Sequence, residues 1–351
     1  MSRGARSPAG PKVLILGEDS PAGLMPSFAR AFARLGSPVE TYCLVRAYRG
    51  RLGRNSARIA GRAAQPLMLE RFNRRVRSDL RRHSAELVLV LKGERLQAET
   101  VSWLKDATGG TVVNYYPDDP FSDERANKMW FGPSVLTAYD HCFTFASNLL
   151  DRYAAIGVRS ASWLPFARDP DLHSPVPPVD PAEFDVVFAG NLDEERVRWL
   201  EPLARRLRLL ILAEHRRDAR GTALKRATFA PSAFGPDLPI ALSRAAISLN
   251  IMRLQNRLNH NMRSFESPAC GAFTLSQRTP ELERLFSEGN EIAFVDAPED
   301  LVERAEFWLA HPRERERIAR LGFQRVARDT YDVRGQAILS TVGLELARSV
   351  G

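Results

Sequence analysis

Six prolines crowd into residues 165–181 (Pro165, Pro170, Pro175, Pro177, Pro178 and Pro181), and one pattern runs up to that stretch and starts again after it. Proline fixes φ and removes an amide donor, so so dense a run sustains neither a helix nor an inner strand and reads as an extended connection. Before it, strand-like apolar runs occur at Lys12–Gly17, Val39–Val45, Glu86–Leu91, Thr111–Tyr115, His141–Phe145 and Ser162–Leu164, separated by stretches long enough for helices. After it come Phe184–Gly190, Arg208–Ala213, Ala246–Ile251, Ala272–Ser276 and Glu291–Val295, with helical patterns at Glu194–Leu207 and Arg263–Gly271. Continuous apolar runs alternating with helices predict parallel strands covered on both faces. The chain is thus expected to be α/β, with one domain over residues 12–168, a linker over 169–182 and a second domain over 183–330. Residues 331–351 read as a closing helix able to pack back on the first domain. Residues 1–11 are polar, basic and rich in glycine and proline, a loose tail without the apolar core of an export signal.

At 351 residues each half is long enough to bury a core of its own. The net charge is +8, but 45 arginines against 5 lysines point to a GC-rich coding sequence more than to a polyanionic partner. Twelve arginines with only Glu70 and Asp79 for acids lie between Arg46 and Arg82. That stretch reads as a solvated helix face and loop; it leaves peripheral membrane contact open, and nucleic acid is not expected, because its two aromatic residues, Tyr48 and Phe72, give no regular interleaving for base stacking. Cys43, Cys142 and Cys270 stand apart with no metal or redox spacing. No apolar run approaches a membrane span, and the expected location is the cytoplasm.

The chemistry concentrates between Asn261 and Asp300, which contains N-M-R-S-F-E-S-P-A-C-G-A-F-T-L-S, then T-P-E-L-E-R-L-F, G-N-E-I-A-F-V-D and P-E-D-L. Arg263 and Glu266 are three apart and share one helix face. An arginine and free amides near a helix start suit a phosphate, and a carboxylate suits a sugar diol. Together they describe a nucleotide-sugar site. This segment resembles the nucleotide-binding half of the GT-B glycosyltransferases, and among them the CgeB-like (spore maturation protein) family. The resemblance extends through P-R-E-R-E-R-I-A-R-L-G (312–322) and D-T-Y-D-V-R (329–334), and more faintly over 111–173.

The resemblance implies two Rossmann-like domains facing a central cleft. It also implies transfer of a hexose from a nucleotide-diphosphate sugar, UDP-type, to an unidentified acceptor, with neither metal nor cofactor. Glu266 then takes the ribose hydroxyls and Arg263 the diphosphate, with Arg257 and His260 as neighbours. Gly190 and Asn191, at the end of the Phe184–Gly190 run, correspond to the donor-domain entry loop, and Asn250 ends another strand beside it. A second glutamate, found eight positions before Glu266 in many retaining families, is replaced here by Leu258. In the first half, Gly17-Glu-Asp-Ser-Pro-Ala-Gly23 lacks the Walker and dinucleotide spacings and resembles the glycine loop that GT-B enzymes aim at the transferred sugar. Asp19 there, and Asp118 and Asp119 just beyond the Thr111–Tyr115 run, are candidate bases. Asp118 is preferred because Asp119-Pro120 also reads as a helix start. Two rival functions share the outline: a nucleotide-sugar epimerase or hydrolase, and a catalytically silent nucleotide-sugar-binding protein.

Overall fold

The computed structural model describes residues 10–21, 23–49, 65–122, 129–215 and 219–346. The described chain forms two compact units, one running to Pro165 and resuming at Tyr331, the other spanning Phe166–Thr330. Each is built on a six-stranded sheet in which all strands are parallel.

In the first unit the strands are β1 (Val13–Gly17), β2 (Val39–Cys43), β3 (Leu87–Leu91), β4 (Thr111–Tyr116), β5 (His141–Thr144) and β6 (Ala161–Trp163), ordered β2-β1-β3-β4-β5-β6. All five residues of β1 and of β3 are buried, as strands flanked by helices on both faces must be. The run Val39–Val45 is strand only to Cys43, and its last residues open a helix, Leu44–Arg49. Of the arginine-rich stretch, residues 50–64 lie outside the described residues, and Gln65–Leu80 is a helix burying Leu69, Phe72, Val76 and Leu80. Most of the 1–11 tail likewise lies outside them; Gly10 donates its amide to Gly36 O. The helix Tyr331–Thr341 belongs to this unit. Tyr331 packs edge-on against Phe28 of the helix Leu24–Arg34 (centroids 5.0 Å apart), and Arg34 pairs with Asp332 at 2.7 Å.

The second unit contains β7 (Phe184–Ala189), β8 (Leu209–Leu212), β9 (Thr228–Ala230), β10 (Ala245–Asn250), β11 (Thr274–Gln277) and β12 (Ala293–Val295), ordered β12-β11-β10-β7-β8-β9. Side chains alternate across the sheet: Val186 and Phe188 enter a core with Trp199, Leu203 and Leu249, whereas Val187 enters another with Leu210 and Leu238. The edge strand β9 and the helix Asp237–Ser243 have no counterpart in the sequence reading. Three residues, T-F-A, give no apolar run long enough to register.

The proline-rich stretch has a turn at residues 170–172, where Asp169 O accepts from the Leu172 and His173 amides, and its first part is not loose. Phe166, Ala167, Asp169 and His173 are buried. The Arg168 amide donates to Asp329 O at 2.8 Å and its guanidinium to the carbonyls of Val326 and Ala327. This segment therefore packs inside the second unit.

In open parallel sheets ligands bind beyond the carboxyl ends of the strands, where the direction of winding reverses. That switch point lies between β1 and β3 in the first sheet and between β7 and β10 in the second.

Candidate functional site

At the switch point of the second sheet, β7 ends at Ala189 and β10 at Asn250. The following loops are tied together by Arg196, from the helix Glu194–Arg206. Its Nε and Nη2 donate to Ile251 O at 3.1 and 2.9 Å, and its Nη1 donates to Asn191 O at 2.9 Å. Asp193 caps that helix by accepting from the Arg196 amide at 2.9 Å. The Gly190 amide donates to Leu212 O, and Asn191 Oδ1 accepts from the Glu214 amide at 3.5 Å, so the entry loop is held on both sides. Burial pushes the Arg196 guanidinium down to about 10, with Arg253 and Arg263 nearby adding to the fall against the opposing pull of Asp193. It remains cationic at neutral pH. Three arginines thus raise the local potential at one switch point, as a diphosphate requires.

Arg263 and Glu266 lie on the helix Arg263–Ala269, seven residues long. So short a helix adds little dipole, and its charged side chains dominate the local field. Arg263 donates from Nε to Ala189 O at 3.3 Å and from Nη2 to Ala233 O at 3.3 Å, and its Nη1 pairs with the Glu266 carboxylate. Of five guanidinium N–H groups, three are engaged. Glu266 is only 3% exposed, more deeply set than its place near a helix start suggests. Its second oxygen lies 3.7 Å from His173 Nε2. His173 Nδ1 accepts the Asp169 amide at 3.1 Å, so the neutral ring carries its proton on Nε2, facing Glu266. Burial lowers the His173 pKa, outweighing the opposing effect of Glu266. The Phe234 ring lies 6.0 Å from the Arg263 guanidinium and is 58% exposed.

The remaining residues expected here sit close by in different settings. Asn250 is buried; its Nδ2 donates to Ser264 Oγ and Ser276 Oγ, and its Oδ1 accepts from Asn261 Nδ2 at 2.8 Å. It thereby fixes the start of the Arg263 helix. His260 is fully buried, with Nδ1 2.6 Å from Glu281 Oε2 and Nε2 accepting the Phe166 amide at 3.1 Å. Both ring nitrogens serve that tie. Arg257 is exposed. On the same loop Arg253 is half-buried, and among the described residues its side chain makes no hydrogen bond or ion pair.

At the switch point of the first sheet, Gly17 ends β1. A Cβ there would lie 3.2 Å from Met25 Cβ and 3.3 Å from Leu91 Cβ, so glycine is what lets the helix and β3 close in. Beyond it opens a cavity of about 190 Å³ bounded by Gly17, Glu18, Ser20, Lys92 and Pro117. Lys92 is the one non-glycine residue at positive φ (64°) among the described residues. Its Nζ lies 2.7 Å from Asp118 Oδ2. Asp119 instead closes a turn, accepting the Phe121 amide at 2.9 Å and lying 3.4 Å from Arg152. Asp19 accepts from the Cys43 thiol at 3.1 Å and pairs with Arg46; these partners hold its pKa below the usual range, the thiol contributing most.

His173, Arg196, Arg253, Phe234 and Lys92 carry no motif. Each acquires meaning only when the fold sets it beside a residue far away in the chain. Among the described residues no group of three or more His, Cys, Asp or Glu is placed to hold a metal, and no helix is long and apolar enough to cross a membrane.

Residues 195–340 match a family model described as glycosyl transferase-like. A search of curated proteins finds no match. Among solved structures, sucrose-phosphate synthase from Thermosynechococcus elongatus is similar, at a TM-score of 0.68 and 13% identity over 95% of this chain and 99% of that one. Anabaena HepE in complex with UDP-glucose is similar at 0.63 and 10% identity over 95% and 99%. The apo form of the lipopolysaccharide outer core galactosyltransferase WaaB is similar at 0.61 and 12% identity over 94% and 99%. The fold is the two-unit α/β architecture of GT-B proteins, and the glycosyl transferase-like match falls on the part of the chain that carries Arg263 and Glu266.

Proposed function

We propose that this chain is a glycosyltransferase of the CgeB-like group. It moves a hexose from a UDP-type nucleotide-diphosphate sugar to an acceptor hydroxyl, without a metal ion. The observation that carries this reading is the Arg263–Glu266 pair beside the end of β7, at the switch point of a sheet whose other five strands lie in the stretch that matches a glycosyl transferase-like model. HepE, similar in fold, is seen with UDP-glucose. Glu266 accepts the ribose hydroxyls, and Arg263 and Arg253 take the diphosphate beside the backbone of Gly190 and Asn191. Three unpaired cysteines suit a cytoplasmic protein.

In the reaction, the acceptor oxygen bonds to the anomeric carbon as the bond from that carbon to the diphosphate oxygen breaks. The electron pair leaves with UDP, and the acceptor proton goes to a base. Charge on the diphosphate grows as the sugar departs, so cations fixed in advance stabilise the transition state more than the ground state. Asp118 is the base. Asp19 is held by Cys43 and Arg46, and Asp119 is occupied in a turn, whereas Asp118 stands on a single ammonium at the cavity edge.

Replacing Asp118 with Asn tests this reading, with the product's anomeric configuration read by NMR. If configuration inverts, transfer should fall by about 10²–10⁴-fold while UDP affinity holds. An inverted product from a fully active Asp118→Asn enzyme removes Asp118 as the base.

A further inference from the structure

The cavity at the first sheet's switch point has a charge balance that limits its guest. One wall is apolar, formed by Met25, Leu44, Val45 and Leu91. Two cations line it, and each is already neutralised. Lys92 bonds Asp118 at 2.7 Å, and Arg95 pairs with Glu94 while its guanidinium stacks 4.6 Å over the Tyr48 ring. Glu18 also lines the cavity, is exposed, and makes no hydrogen bond or ion pair among the described residues. The lining itself is charge-balanced, Glu18 and Glu94 against Lys92 and Arg95, and Asp118 behind Lys92 leaves one carboxylate in excess among the described residues, although the chain as a whole is at +8. Among the described residues, a phosphate, a carboxylate or a nucleic-acid backbone entering it meets the unpaired Glu18 carboxylate and no unclaimed cation.

A neutral guest with several hydroxyls and an apolar face meets the opposite. Carboxylate oxygens accept from hydroxyls, and the aliphatic wall takes the C–H face of a ring. The size agrees, since a cavity of about 150 Å³ takes a benzene ring. Resting on the reading of the chain as a glycosyltransferase, we infer that this cavity seats the acceptor, and that the acceptor is a neutral, hydroxyl-rich sugar ring recognised by Glu18. Pro117 lines the cavity and Asp118 follows it, bonded to Lys92, which puts the proposed base beside the guest.

The test is direct binding to the full chain, followed by saturation-transfer NMR. The probes are the methyl glycosides of glucose, galactose, mannose and N-acetylglucosamine, with glucose 6-phosphate and glucuronate as charged counterparts. At least one neutral glycoside should bind, about tenfold or more tighter than either charged sugar, a gap that narrows with added salt. The variant Glu18→Lys should weaken the neutral ligand by about fivefold or more and shift the preference toward glucose 6-phosphate. UDP titrated into both proteins should bind equally. The inference is overturned if no neutral glycoside binds, if glucose 6-phosphate binds as tightly as the neutral sugars, or if Glu18→Lys leaves the preference unchanged. Failure of UDP to bind the parent chain would count against the proposed function instead.

Discussion

Glu266 shows how burial changes what a residue's removal means. Were it exposed, an alanine there would report on ligand binding alone. At 3% exposure, with Arg263 and His173 on its two oxygens, the carboxylate also pairs with a half-buried cation. Glu266→Ala should therefore cost about 1–3 kcal/mol of stability, as loss of a hydrogen-bond partner from a partly buried group does. The sharper variant is Glu266→Gln, which keeps acceptor capacity and shape but loses the charge. It should fold, and bind UDP more weakly by about 1.5–3 kcal/mol, the worth of hydrogen bonds to a charged group. Calorimetric titration of UDP into a folded Glu266→Gln protein checks this, and parent-like affinity would remove the ribose role from Glu266.

Among the elements, the proline-rich segment bears most directly on the second-unit site. It brings His173 against Glu266 and is anchored by Asp169 and Arg168. Because burial lowers the folded-state pKa of His173, the imidazole is neutral in the fold and takes up a proton on unfolding below about pH 6.5. The stability it contributes is thus present above its unfolded pKa, and is lost as pH falls from there toward the lower folded value. His173→Asn retains an acceptor for the Asp169 amide without the titration. Urea unfolding at pH 7 and pH 5 should show a smaller loss on acidification in the variant than in the parent. His141, also lowered by burial, keeps its share in both proteins. An equal loss would mean that His173 charges freely in the fold. Strands buried on both faces were legible in the sequence because burial leaves continuous apolar runs, as in Leu87–Leu91 and Leu209–Leu212. The short edge strand Thr228–Ala230 left no such trace. The candidate site was legible only in the pairing of Arg263 with Glu266, which helical spacing gives. It was hidden where partners meet through the fold: His173 lies 93 positions from Glu266, and no local pattern marks such a pair.

At the scale of the whole molecule, the chain is two doubly wound units of unlike strand order, each with a distinct cluster at its own switch point. The second is cationic even with Glu266 paired to Arg263 and Asp193 beside Arg196, because Arg253 adds a third arginine, and it suits a leaving diphosphate. The first is charge-balanced around Lys92 and Asp118, with Glu18 in surplus, and suits a neutral hydroxyl donor of the proton. That division of charge suits transfer between a charged donor and an uncharged acceptor; an epimerase or a silent binder would share the cationic cluster but has no need of a pocket that seats an acceptor. Proton NMR of the full chain with UDP-glucose, UDP-galactose and UDP-N-acetylglucosamine, with and without the neutral methyl glycosides, tests this most directly. The account predicts UDP and a new glycosidic anomeric signal, both dependent on the glycoside. Release of free sugar at the same rate without any glycoside, or conversion of the UDP-sugar to its epimer, would contradict it.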